Sequence, residues 1–134
     1  MSLYYLDTSA ALKLLAEEWE SLAFAQFYDD NAEAVWVSSA LLRIEVTRTV
    51  SRVLPAALPE ARDLLLAFDF VSIDDEIVEA ATYEPDRALR SLDAIHLATA
   101  RLLGTDLDAV VTYDNRLASA ASAAGMSVIA PRSV

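Results

Sequence analysis

Short apolar runs alternate with stretches of helical period along this chain, and that alternation limits the folds open to it more than any other feature. A run of four to eight apolar, β-branched or aromatic residues reads as a buried strand; apolar residues spaced three and four apart read as an amphipathic helix. Strands are expected at Leu3–Leu6, Val35–Val37, Phe70–Ser72, Ala109–Thr112 and Ser127–Ile129. Helices are expected at Ser9–Ala16, Glu20–Asn31, Ala40–Leu54, Pro59–Phe68, Asp75–Tyr83, Leu92–Leu103 and Asn115–Ala124. Pro59 suits a first helical turn, and Gly104 and Gly125 suit helix C-termini. Helices connect every pair of strands, which requires parallel pairing, so the fold class is α/β: a central, mostly parallel sheet of about five strands with helices on both faces.

With 134 residues and no linker or repeat, residues 1–134 are expected to form one domain. There is no cysteine, which removes disulfides, thiolate metal sites and thiol nucleophiles, and makes the cytoplasm the default location. No apolar run is long enough to span a membrane, and no signal peptide is visible at the N-terminus. The net charge of −11 argues against binding built on phosphate contacts alone. It suits a basic partner, or a site whose negative charge is offset by cations. A mean hydropathy of +0.32 points to apolar surface covered by a partner or a second copy.

Open parallel sheets place their sites beyond the C-terminal ends of the strands. Asp7 follows the first strand and Asp114 the fourth. Either could simply cap the helix that follows it. Asp93, in "RSLDAIHLATA", stands in the first turn of a helix that Ser91 is expected to cap, where the helix dipole favours a negative charge. Glu45 lies on the shoulder of an apolar stripe formed by Leu42, Val46, Val50 and Val53, in reach of an ion pair with Arg48. Each acid has an ordinary explanation alone. Together they form a set that can meet in one crevice, where carboxylates about 5 Å apart repel by roughly 3 kcal/mol per pair at an effective dielectric of 20. Such a cluster takes up protons or a hard cation, and all-oxygen ligands select Mg²⁺ or Mn²⁺.

The stretches "YYLDTSAALK", "SSALLRIEVTR", "RSLDAIHLATA" and "VVTYDNRLASAASAAGMSVIAP" together resemble the PIN-domain nucleases, most closely the VapC toxins of toxin–antitoxin pairs. The resemblance runs from Leu3 to Pro131, with the motifs in the family's order, while Leu54–Arg87 matches no motif. It implies a PIN-like three-layer fold and an endoribonuclease that uses one or two Mg²⁺ or Mn²⁺ ions. It implies catalytic acids at Asp7, Glu45, Asp93 and Asp114, supported by Ser9 and Thr112. Asp7 and Asp93 would be direct metal ligands, Asp114 would hold a second ion or a metal-bound water, and Glu45 would ligate or accept a proton. It further implies a homodimer, a structured RNA substrate with a single-stranded loop, and an antitoxin whose basic segment enters the acidic pocket.

Arg43, Arg48, Arg52, Arg87, Arg90 and Arg116 are candidates for the RNA approach, or else solvated helix surface. Tyr113 and Trp36 stack on bases or pack in the core or a dimer. Trp19 belongs to the core or an interface. His96, one turn after Asp93, is expected to be a packed, hydrogen-bonded structural residue. Two rival readings are a housekeeping PIN nuclease without an antitoxin and a receiver-like signalling module. The latter requires an acid pair after the first strand and a lysine after the fifth, but the only lysine is Lys13, on the first helix.

Overall fold

The computed structural model describes residues 1–132. The strands are β1 (Leu3–Leu6), β2 (Val35–Ser39), β3 (Asp69–Val71), β4 (Ala109–Val111) and β5 (Val128–Ile129), and all pair in parallel in the order β3-β2-β1-β4-β5. The helices are α1 (Thr8–Lys13), α2 (Ser21–Asp30), α3 (Ala40–Val53), α4 (Leu58–Leu65), α5 (Asp75–Thr82), α6 (Ser91–Leu102) and α7 (Asn115–Ala123), with 3₁₀ turns at Pro55–Ala57 and Gly104–Asp106. The sheet grows in one direction from β1 to β3, then resumes on the other side of β1. Crossovers in a sheet of this kind keep one hand, so the reversal carries the helices to the opposite face.

Two cores result, one on each face. Leu6, Trp36 and Val111 face helices α1 to α4, beside Phe24, Leu42, Val46, Val50 and Ala61. Their strand neighbours Tyr5, Val37 and Val110 face α6 and α7, beside Leu97, Ala100, Leu117 and Ala121. Adjacent residues on β1, β2 and β4 therefore serve opposite cores. This is why these strands read as continuous apolar runs instead of alternating ones.

Several expectations need correction. Helix α1 ends at Lys13, short of Ala16, and α4 begins at Leu58 after the turn at Pro55. Strand β3 spans Asp69–Val71, one residue earlier than expected at both ends. Val53 is 67% exposed, because the last turn of α3 runs past the core that Leu42, Val46 and Val50 fill. Trp19 is 90% exposed, which removes it from the core, while Trp36 is buried and so cannot stack on a base. Ser91 is the first residue of α6, not its cap: Arg90 takes that place without a side-chain bond, and Asp93 becomes the third helical residue. Gly104 and Gly125 do close their helices, with φ of 60° and 87° in the left-handed region.

Candidate active site

Strand order reverses between β1 and β4, and in open α/β sheets the crevice forms where it does. Asp7 leaves the end of β1 and Thr112 leaves the end of β4, side by side. Asp7 is 4% exposed. Its Oδ1 accepts the Ser9 hydroxyl at 2.7 Å and the Ala10 amide at 3.1 Å, so it also caps α1. Its Oδ2 accepts the Thr112 hydroxyl at 2.8 Å. Ser9 accepts the Tyr113 amide at 2.9 Å, and Thr112 accepts the Asp114 amide at 3.0 Å. The two hydroxyls thus tie the ends of β1 and β4 to one carboxylate. Burial raises the Asp7 carboxyl above the usual carboxylate range, against the opposing pull of His96, Ser9, Thr112 and Ala10.

Asp114 caps α7, its Oδ1 accepting the amides of Arg116 at 2.9 Å and Leu117 at 3.1 Å. Capping and membership of the acidic group are therefore not alternatives for Asp7 or Asp114; one oxygen of each anchors a helix. Asp93 has no side-chain hydrogen bond among the described residues. Burial, followed by the charges of Asp114, Asp7 and Glu45, raises its carboxyl, with His96 acting the other way. Asp93, at the start of α6, therefore lies within electrostatic reach of the other three acids.

Glu45 does not pair with Arg48. Its Oε1 accepts the Thr8 hydroxyl at 2.7 Å and lies 2.9 Å from His96 Nε2. Burial would raise this carboxyl, but the bonds from His96 and Thr8, joined by the His96 charge when that ring is protonated, outweigh it, and the net shift is downward. Glu45 is held ionised while Asp7 and Asp93 resist ionisation. Thr8 and His96 are the partners that sequence reasoning missed. They stand 37 and 51 residues from Glu45 in the chain, and no local pattern marks such a meeting.

The arginines Arg43, Arg48, Arg52, Arg87, Arg90 and Arg116 are all exposed. Arg90 and Arg116 stand at the helix starts beside Asp93 and Asp114. The Tyr113 ring is occupied: Lys13 Nζ lies 5.2 Å and the Arg132 guanidinium carbon 5.8 Å from its centroid, its edge meets Phe24, and its hydroxyl donates to the Pro131 carbonyl at 2.6 Å.

Residues 4–123 match the sequence profile of the PIN domain. The chain belongs to the PIN-domain family. Among relatives of this PIN domain, Ribonuclease VapC35 of Mycobacterium tuberculosis is 47% identical over 129 residues, covering 95% of this chain and 96% of that protein. Ribonuclease VapC46 of the same organism is 41% identical over 131 residues, covering 98% and 99%. The solved structure of M. tuberculosis VapC20, described as a sarcin-ricin loop cleaving toxin, superposes with a TM-score of 0.77 at 18% identity, over 96% of this chain and 99% of that one. VapBC2 from Rickettsia felis, bound to a promoter DNA fragment, superposes with a TM-score of 0.70 at 12% identity, over 96% and 98%.

The strand order of this PIN domain also rules out the receiver-like reading, since such modules order their strands 2-1-3-4-5. Lys13, the one lysine, is bound to Glu18 and Glu20. Among the described residues, no three acidic or histidine groups already form a closed ligand set. That suits Mg²⁺, which keeps several waters and takes only one or two carboxylates from the protein. The donors are all oxygens; burial raises the Asp7 carboxyl, and burial with the charges of neighbouring acids raises that of Asp93, so a divalent cation fits them chemically.

Proposed function

We propose that this protein is a metal-dependent endoribonuclease of the VapC type, the toxin of a toxin–antitoxin pair. The carrying observation is the hydrogen-bonded frame at the β1/β4 switch point: Thr112 joins Asp7 to the Asp114 amide, and Glu45 is tied through Thr8 and His96 to α1 and to α6, the helix that carries Asp93. Similarity to proteins named as VapC ribonucleases supports the same reading.

Asp7, Asp93 and Asp114 would hold one or two Mg²⁺ or Mn²⁺ ions. When bound, such an ion polarises a phosphate and lowers the pKa of water. Ser9 and Thr112 fix the Asp7 carboxylate so that it does not turn away. Glu45, ionised and clamped at one oxygen, accepts the proton of the attacking water. Arg90 and Arg116 draw the phosphate backbone toward the acids, against a chain charge of −11. The substrate is a structured RNA with a single-stranded loop, whose bases can leave their stack.

The exposed apolar residues Trp19, Leu22, Val53 and Leu66 support a covered surface in the cell. We assign it to an antitoxin and a second copy of the chain, in the cytoplasm. No helix among the described residues is long and apolar enough to cross a membrane.

The test is cleavage of an end-labelled RNA hairpin by the purified chain in Mg²⁺, Mn²⁺ or EDTA. The expected result is cutting in the loop that needs a divalent ion and falls at least about a hundredfold in Asp7→Asn. Cleavage that survives EDTA, or an Asp7→Asn protein as active as the parent, overturns the reading.

A further inference from the structure

The roles of Asp7, Glu45, Asp93 and Asp114 leave one buried polar group at the site without a function. His96 is 2% exposed, and both of its ring nitrogens are engaged. Nδ1 lies 2.6 Å from the Tyr5 hydroxyl and Nε2 lies 2.9 Å from Glu45 Oε1. A residue that only filled space would need neither contact.

The proton positions follow from Glu45. An ionised carboxylate oxygen only accepts, so Nε2 carries a proton and donates it to Glu45 Oε1. In the neutral imidazole Nδ1 is then bare and accepts the Tyr5 hydroxyl proton, while the Tyr5 oxygen accepts the Ser39 amide at 3.2 Å. The chain Ser39 N–H, Tyr5 O–H, His96, Glu45 runs in one direction, from the buried end of β2 to the acidic mouth. Thr8 donates to the same Glu45 oxygen from α1 at 2.7 Å. Oε1 is thus held from two sides, while Oε2 has no protein partner among the described residues.

We propose that His96 is a positioning residue. With Tyr5 donating to its Nδ1, it holds Glu45 by one oxygen and leaves the other turned to the water that attacks RNA. This rests on the nuclease reading above. His96 touches neither RNA nor metal; it acts through Glu45. Tyr5 is the rigid end of the chain: it is fully buried, and burial raises its hydroxyl far above the ordinary phenol range, so it stays a proton donor.

Two substitutions separate the ring's contacts. In His96→Gln the side-chain amide reaches the place of Nε2 and can still donate to Glu45. In His96→Asn it reaches only the place of Nδ1, and the Glu45 contact is lost. The expected result is kcat for the RNA hairpin lower by about 10- to 100-fold in His96→Asn, with KM within about twofold, and recovery to within about threefold of the parent in His96→Gln. His96 is the only histidine, so ¹⁵N-histidine labelling of the full chain gives one unambiguous pair of ring signals. They should report a proton on Nε2 and none on Nδ1 in the metal-free protein, and a mixture of tautomers in Tyr5→Phe. A wild-type chain that cuts RNA while His96→Asn is equally fast overturns this inference alone. So do a proton on Nδ1, or His96→Gln as slow as His96→Asn with both folded by circular dichroism. A wild-type chain that cuts no RNA overturns the nuclease reading, and this role falls with it.

Discussion

Thr112 and Asp7 stand 105 residues apart in the chain and meet at 2.8 Å, hydroxyl to carboxylate, across the gap between β4 and β1. The same hydroxyl accepts the Asp114 amide, so one buried oxygen serves two acids of the site. Thr112→Val keeps the shape and removes the oxygen. It leaves Asp7 Oδ2 and the Asp114 amide without their partner, a loss of about 1–3 kcal/mol. Thermal unfolding should shift down by several degrees, and RNA cleavage should fall about 10- to 100-fold, as expected when a side chain that orients a ligand is lost. Thr112→Ser should stay near the parent in both. Equal activity in Thr112→Val and the parent would show that the hydroxyl only tidies the strand end.

The acids impose a pH dependence whose sign is fixed. Asp7 and Asp93 are raised in the folded state. Their contribution is fully present below the unfolded Asp value of about 3.9 and is lost as pH rises through their folded values. Glu45 is lowered, so its contribution is present above about 4.3 and is lost as pH falls through its folded value. Between pH 5 and pH 8 the Glu45 contribution is constant while those of Asp7 and Asp93 can only fall, so metal-free protein in EDTA should unfold at a higher temperature near pH 5 than near pH 8. General repulsion within an acidic chain acts in the same direction. Asp7→Asn isolates the site's share, and the decline should be shallower in that variant. Saturating Mg²⁺ should raise the unfolding temperature more at pH 8 than at pH 5, because ligation needs ionised carboxylates. An equal rise at both pH values would separate metal binding from these groups.

The sequence disclosed the strands because β1, β2 and β4 are buried on both faces and so read as unbroken apolar runs. It singled out Asp7 and Asp114 as candidates because each lies within three residues of the end of such a run. Strand order was not readable: apolar pattern says which segments are buried but not which neighbours bury them. Only the order places β1 beside β4 and so makes those two acids adjacent. Glu45 could be placed on a helix shoulder, yet its partners could not be named, since Thr8 and His96 arrive from α1 and α6. Single aromatics were equally opaque. Trp36 lies within a doubly buried strand, whereas Trp19 lies among Glu17, Glu18 and Glu20 and stays in solvent. Ser91 looked like a cap by residue type, but the chain turns one residue earlier, at Arg90.

Away from the acids, the Arg101 guanidinium Nε lies 3.1 Å and 2.9 Å from the two oxygens of Glu84, tying α6 to the end of α5. The Glu84 side chain is only 3% exposed while that of Arg101 is 39% exposed. Removing the arginine leaves a covered carboxylate without its counter-charge. Breaking such a pair inside a protein is strongly destabilising, but the exposure of Arg101 lets water in, so Arg101→Met should lose about 1–3 kcal/mol. The double variant Glu84→Gln/Arg101→Met should recover part of that in a denaturant titration. The kcat of both should match the parent, because neither residue reaches the acidic mouth. A large loss of kcat in folded Arg101→Met would mean that the α5–α6 connection sets the position of Asp93.

Asp93 offers the clearest separation of stability from activity. It has no hydrogen bond to keep it in place; burial and the charges of Asp114, Asp7 and Glu45 disfavour its ionised form, with His96 acting the other way. At neutral pH the ionised form therefore weakens the metal-free fold, despite a helix dipole worth about 0.3–1 kcal/mol in its favour. Asp93→Asn keeps the size and removes the charge. Without metal, at pH 7.5, it should unfold a few degrees above the parent; with saturating Mg²⁺ the order should reverse, since the parent gains a ligand that the variant lacks. Cleavage should drop at least about a hundredfold in the variant despite its greater metal-free stability, the usual exchange at a site that stores repulsion for binding. A metal-free Asp93→Asn protein less stable than the parent would mean that Asp93 serves its helix first, and that the acids do not oppose one another.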